Sequence, residues 1–157
     1  WTDNLLWHHT THLLDLGLWT LNDPVDALSS WMPSPDSKTG IPMDIFIGLQ
    51  TSGDSSLVCT GSYYSRENIF DFFVVTDQNS YRLDVFKNTF TDGSDMNTIA
   101  PEPENCALIT SDFVDSVREG RDPAVTGDSV LPTMTVLQQV QEQWDTIHGA
   151  RVIPGRP

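Results

Sequence analysis

Residues 7–15, Trp7-His8-His9-Thr10-Thr11-His12-Leu13-Leu14-Asp15, hold the densest group of proton-moving side chains in the sequence. His8, His12 and Asp15 are spaced i, i+4, i+7, which on an α-helix puts all three on one side. His9 falls about 100° away, on the apolar stripe. Two imidazoles one turn apart can act as an acid/base pair, because each titrates near neutral pH. Asp15 could accept from the outer nitrogen of His12 and fix its tautomer. The same H-x-x-x-H spacing also suits zinc. However, the metalloprotease version places Glu after the first His, where this chain has His9, and His148 is the one remaining histidine. A third reading makes these histidines packed or capping residues of a helix face.

The element that must carry them reads as a helix over residues 3–21. Leu5, Leu6, His9, Leu13, Leu16 and Trp19/Thr20 recur at three- and four-residue spacing. Thr2 or Asp3 can cap it, and Asn22-Asp23-Pro24 ends it. The period then changes to two. Residues 25–32 form a short strand, and Pro33–Gly40 a loop. Asp44–Thr51 and Ser56–Tyr63 make a hairpin around Gly53-Asp54. Phe70–Thr76 and Tyr81–Phe86 make a second hairpin. A loop at Gln78-Asn79 would oppose Val74 to Leu83 and Phe72 to Val85. Residues 87–103 read as loop. Glu104–Glu119 is a helix with Cys106, Ile109, Phe113 and Val117 on one stripe and Gly120 as its C′ residue. Ser129–Ile147 is a last helix, with Val130, Met134, Leu137, Val140/Gln141 and Trp144 inward and Pro132 in its first turn.

A block of strands between helices predicts an α+β fold, an open, mostly antiparallel sheet packed against helices. Phe46, Phe73, Val75 and Phe86 place apolar groups on the second face of the strands, so a partner or a further domain is expected to cover part of it. The chain has 157 residues, which suits one domain with a real core. Its formal charge of −14 with only 8 basic residues argues against nucleic-acid binding and a polybasic membrane patch. No window reaches the ~18 apolar residues of a membrane span. Cys59 and Cys106 are isolated and read as reduced, buried thiols of a cytoplasmic protein. There is no G-x-G-x-x-G after a strand, no P-loop and no βαβ unit, so no cofactor-binding residue and no metal site is assigned in this chain. The first residue is Trp1, inside a good helix pattern and without a signal-peptide profile, so the chain reads as cut from something larger.

Two segments resemble a known family. Leu6–Leu21 is similar to the first helix of the C-terminal domain of the Gfo/Idh/MocA oxidoreductases. The pattern there is Asp, a hydrophobic, Gly, any residue, His, two hydrophobics, Asp, then Leu-Trp. The family His falls on His12, the second Asp on Asp15 and the aromatic on Trp19. Glu119-Gly120-Arg121-Asp122-Pro123-Ala124-Val125-Thr126-Gly127-Asp128 is similar to the family's connection into its last long helix. Two departures stand out: the family's first Asp falls on His8 and its Gly on Thr10.

The resemblance implies the substrate-binding and oligomerisation domain of a two-domain enzyme, spanning residues 1–157, with the N-terminal Rossmann domain absent from this chain. It implies NAD or NADP held mainly by that other domain, and a small-molecule substrate that is sugar-like or a hydroxy-carboxylic acid. It further implies a homo-oligomer formed through the sheet face, and His8 and His12 as catalytic residues with Asp15 supporting them. The run Trp1–His9 is similar, more narrowly, to the 4-carboxy-2-hydroxymuconate-6-semialdehyde dehydrogenase branch, whose members oxidise a cyclic hemiacetal to a lactone with NADP. On that likeness Asn4 and Trp7 stand on the substrate side. A dicarboxylate would want a cation nearby, for which Arg66 and Lys38 are candidates because basic residues are scarce. The competing reading is a non-catalytic dimerisation or binding module with structural histidines; a small zinc hydrolase is a weaker third.

Overall fold

The computed structural model describes residues 4–99 and 103–149. The chain begins with a π-helical turn, Leu6–Thr10, that runs into α1 (Thr11–Leu21). Seven strands follow: β1 (Val25–Trp31), β2 (Asp44–Thr51), β3 (Ser56–Ser62), β4 (Asp71–Val75), β5 (Ser80–Asp84), β6 (Thr89–Asp92) and β7 (Asp95–Thr98). Then come α2 (Pro103–Glu119), a 3-10 turn (Asp128–Val130) and α3 (Leu131–His148). The expected α+β class holds, and every strand pairing is antiparallel. The strands form two sheets rather than the single one expected, in the orders β1-β2-β3 and β4-β5-β6-β7. They belong to two compact units, residues 65–126 and the remainder.

The first unit holds the core. Alternation along β2 buries Ile45, Ile47 and Leu49 and leaves Phe46 and Gln50 exposed, as a sheet with one packed face requires. The β2–β3 hairpin stands where sequence placed it, with Ile47 opposite Cys59 and Leu49 opposite Leu57. On the inner face, Leu5, Leu6, Leu14 and Leu18 meet Ile45, Ile47, Leu49 and Cys59, and α3 adds Val136, Leu137, Val140 and Trp144. Met134, expected inward, is exposed, and Thr133 and Val136 are buried in its stead. Trp144 also donates its indole N–H to the Pro33 carbonyl at 3.0 Å. Asn22 ends α1 in the left-handed conformation (φ 46°), its N–H bonded to Leu18 O at 2.8 Å. The caps expected at Thr2 or Asp3 lie outside the described residues.

The π turn changes the phase of the first helix. Sequence periodicity gave Leu5, Leu6, His9, Leu13, Leu16 and Trp19/Thr20 as the inner stripe. The residues buried are Leu5, Leu6, Thr10, Leu14, Gly17 and Leu18, while His9, Trp19 and Thr20 are exposed. One extra residue is taken up between Leu6 and Thr10, so the next inward positions move on by one, from His9 to Thr10, Leu13 to Leu14 and Leu16 to Gly17. The Thr11 hydroxyl donates back to Trp7 O at 3.1 Å and Leu6 O at 3.3 Å, giving partners to carbonyls of the widened turn. Gly17 then lands where a Cβ would meet Leu57 Cδ2 at 2.7 Å, so any larger residue there requires the Leu57 side chain to move.

In the second unit β4 pairs with β5 in the register Phe72–Leu83 and Val74–Tyr81, two residues from the expected pairing. The turn is Asp77-Gln78, closed by Thr76 N–H on Asn79 O at 2.8 Å. A two-residue shift keeps each side chain on its face, and Phe73 and Val75 remain on the exposed one. The stretch expected as loop contains the β6–β7 hairpin, turning at Gly93 with φ +59°. Helix α2 ends at Gly120 (φ 67°) as predicted. Its stripe of Ile109, Phe113 and Val117 is exposed, and Cys106, expected buried, is exposed too.

Candidate active site

The segment 4–15 is tied down from three directions. On the α3 side, Gln141 Oε1 accepts from Asn4 Nδ2 at 3.1 Å and from the Trp7 indole N–H at 3.0 Å. Asn4 Oδ1 in turn accepts from the Trp7 backbone N–H at 3.2 Å. Gln141 spends its amide N–H on Asp145 Oδ1 at 2.9 Å, so its oxygen is oriented towards the first helix. The two residues assigned to the substrate side are thus brought together by one amide that periodicity placed only as an inward helix position.

On the sheet side, His8 Nδ1 lies 2.8 Å from Tyr63 Oη. Tyr63 follows β3, and its N–H extends the ladder by bonding Met43 O at 2.8 Å. Its ring packs partly buried against the core. His8 is half-buried, and its ring centroid is 3.9 Å from that of His9. The His9 ring meets Tyr63 edge-on at 5.7 Å and 74°. Loss of solvent around the His9 ring lowers its pKa, and the neighbouring His8 and then His12 lower it further. Positive charge on either neighbour disfavours the protonated form of His9.

Asp15 serves the third direction. Its Oδ1 accepts from the Thr133 hydroxyl at 2.7 Å, across to α3, in place of the expected bond to His12. Thr133 is buried, so the bond holds a half-buried carboxylate against α3. His12 is exposed. The structure therefore gathers His8, His9 and Tyr63 at one point and Asn4, Trp7 and Gln141 at another, with Asp15 on Thr133. Of the candidate cations, Lys38 is exposed on the 36–41 turn, where the amides of Thr39 and Lys38 hold the Asp36 carboxyl below its ordinary value. Arg66 is exposed in the second unit. No group of three or more His, Cys, Asp or Glu side chains converges as a metal-ligand set among the described residues.

Sequence reasoning missed Tyr63, Gln141 as a ligand of Asn4 and Trp7, and Thr133. Each lies between 55 and 137 residues from its partner. No local periodicity encodes such pairings.

A Rossmann dinucleotide site is built from parallel strands with a glycine-rich turn into a helix. The described strands are all antiparallel, and none leads through such a turn. These residues do not fit a nicotinamide dinucleotide cradle.

Comparison with known proteins supplies the context. The family model "Bacterial oxidoreductases, C-terminal" matches residues 1–99. The 4-carboxy-2-hydroxymuconate-6-semialdehyde dehydrogenase of Sphingobium sp. is 27% identical over 146 residues, which are 91% of this chain and 46% of that protein. Among solved structures, the UDP-N-acetylglucosamine 3-dehydrogenase of Acidithiobacillus ferrooxidans superposes with a TM-score of 0.78 at 14% identity, over 88% of this chain and 46% of the other. An oxidoreductase of Agrobacterium radiobacter, solved with NAD+, L-tartaric acid and magnesium, gives 0.72 at 16% identity over 88% and 46%. The chain spans under half the length of these relatives.

Proposed function

The chain belongs to the C-terminal domain family of bacterial oxidoreductases, and from that premise we propose that it is the substrate-side half of an NAD(P)-dependent dehydrogenase whose substrate is a small hydroxyl or hemiacetal compound. The observation that carries the reading is the histidine segment itself. A half-buried imidazole, His8, is held by Tyr63; the same helical segment carries an exposed His12 and, through Asn4 and Trp7, a bond to Gln141 of α3. Oxidising a hydroxyl requires a base to take the O–H proton as hydride leaves the same carbon, and imidazole is matched to that task near neutral pH. His8 and His12 take that role here. Asp15 supports them from a distance by fixing the helix on α3 through Thr133. Asn4 and Trp7 contribute to the substrate wall.

The hydride acceptor belongs to an N-terminal nucleotide-binding domain. The division agrees with a chain that matches 46% of the semialdehyde dehydrogenase and carries no dinucleotide cradle among its described residues. The likeness to that dehydrogenase supports a carboxylated hydroxyl or hemiacetal compound as substrate, with NAD or NADP as cofactor. The free thiols of Cys59 and Cys106 agree with a cytoplasmic setting. No described helix is long and apolar enough to cross a membrane. The same reading includes a homo-oligomer closed through the outer face of the β1-β2-β3 sheet.

The test is kinetic and uses the full-length enzyme. His8→Ala and His12→Ala should each lower kcat by roughly 10²–10⁴-fold, the usual worth of a positioned base, with the nicotinamide KM little changed. Unchanged turnover in both variants, or a loss that falls on cofactor affinity instead, would overturn the proposal.

A further inference from the structure

Resting on the reading of His8 as a proton-handling side chain, we infer that Tyr63 is the positioning residue that selects the His8 tautomer. The Tyr63 hydroxyl sits 2.8 Å from His8 Nδ1, and it reaches there from a rigid place. The backbone of Tyr63 is fixed by the 2.8 Å bond to Met43 O, and its ring lies between the core and the two imidazoles. A phenolic ring has few rotatable bonds, so a side chain anchored at both ends holds its oxygen at a defined point.

An imidazole has two nitrogens, and a base works only with its lone pair on the nitrogen that faces the reacting proton. The Tyr63 hydroxyl can accept from Nδ1–H or donate to a bare Nδ1. Only the first arrangement leaves the lone pair on Nε2, the one that a base acting through Nε2 requires. After Nε2 has taken a proton, Nδ1 still carries its own, and the same bond to Oη persists. One geometry therefore serves both protonation states of the ring. A carboxylate in that place would add a negative charge and favour the imidazolium, whereas a neutral phenol orients the ring without that bias. Asp15, which the spacing offered to the histidines, is engaged by Thr133 instead. The π turn contributes too, since it is the element that carries both His8 and His9, with their ring centroids 3.9 Å apart.

Tyr63→Phe in the full-length enzyme keeps the ring and its edge contact with His9 and removes only the oxygen. With 15N-histidine labelling, and the His8 signals assigned by their disappearance in His8→Asn, the long-range 1H–15N couplings report the tautomer directly. The wild type should show Nδ1–H, and Tyr63→Phe should shift His8 towards the Nε2–H form. A parallel fall in kcat of at least about 10-fold is expected, towards the ~10²–10⁴-fold cost of a missing base, with the cofactor KM unchanged. Tyr64→Phe should change neither, because the exposed Tyr64 donates to Asp36 at 3.3 Å instead. An unchanged His8 tautomer in Tyr63→Phe overturns the inference. If the tautomer shifts while His8→Ala keeps full turnover, Tyr63 stands as the positioning residue and the catalytic assignment of His8 falls.

Discussion

At the scale of single residues, chemistry follows environment more than identity. Cys59 and Cys106 read alike in the sequence, both isolated and both expected buried. Cys59 lies on the inner face of β3, 5% exposed, and burial pushes its thiol up to about 11. Cys106 is exposed on α2. A thiolate is the reactive species, so at pH 7.5 iodoacetamide should label Cys106 in the native protein while Cys59 stays protected until denaturant is added. Peptide mass mapping before and after unfolding reads this out; early labelling of Cys59 would contradict the buried placement. The histidines carry the same lesson. Types and spacing were enough to single out His8, His12 and Asp15. The partners the fold brings to them, Tyr63 just after β3 for His8 and Thr133 of α3 for Asp15, leave no trace in the local pattern.

At the scale of elements, alternation was the dependable signal and helical phase was not. The β2–β3 hairpin was legible because Ile45, Ile47 and Leu49 alternate with exposed residues between two clear turns. The β4–β5 register slipped because Asp77-Gln78-Asn79-Ser80 offers more than one two-residue turn, and only the closure at Thr76–Asn79 selects among them. The β6–β7 hairpin had a local signal, the two-residue turn Gly93-Ser94, hidden by strands of only four residues rich in Thr, Asp and Asn. The π turn had none: Trp7-His8-His9-Thr10-Thr11 is as compatible with an α-helix, and the extra residue shows only through what becomes buried downstream.

Gly17 tests that phase. In the shifted helix it faces Leu57, and Gly17→Val places a branched side chain where the Leu57 methyls already stand, 2.7 and 2.8 Å from a Cβ. Overpacking of this kind costs about 1–3 kcal/mol. Chemical denaturation should show the loss, and Leu57→Ala combined with Gly17→Val should lose less than the sum of the two. Additive losses would mean that the helix does not present Gly17 to β3.

At the scale of the whole molecule, sequence gave the class and the domain type, while the split into two sheets had to be seen. Its consequence is that the apolar second face belongs to two surfaces. In the first sheet the outer row is Trp31, Phe46 and Thr60, cross-strand neighbours, with Gly48 and Val58 in the next row. Trp31 is 58% and Val58 64% exposed, while the Phe46 ring leans over Gly48, reaching 3.3 Å from where a Cβ would stand. Adjacent exposed tryptophan, phenylalanine and valine on a flat sheet make an isologous contact inexpensive to form, because the same rows on a second copy offer matching apolar area. The inner face already holds the core, so charge placed on the outer face should break association without unfolding the chain. Trp31→Glu in the full-length enzyme should therefore lower the mass measured by light scattering to that of a smaller assembly. Stability should stay within about 0.5 kcal/mol of that expected for a surface substitution, once allowance is made for the stabilisation that association itself supplies. A wild-type enzyme that is already monomeric, or a Trp31→Glu assembly of unchanged mass, would remove this sheet from the interface and return Trp31, Phe46 and Val58 to the status of solvent-facing side chains.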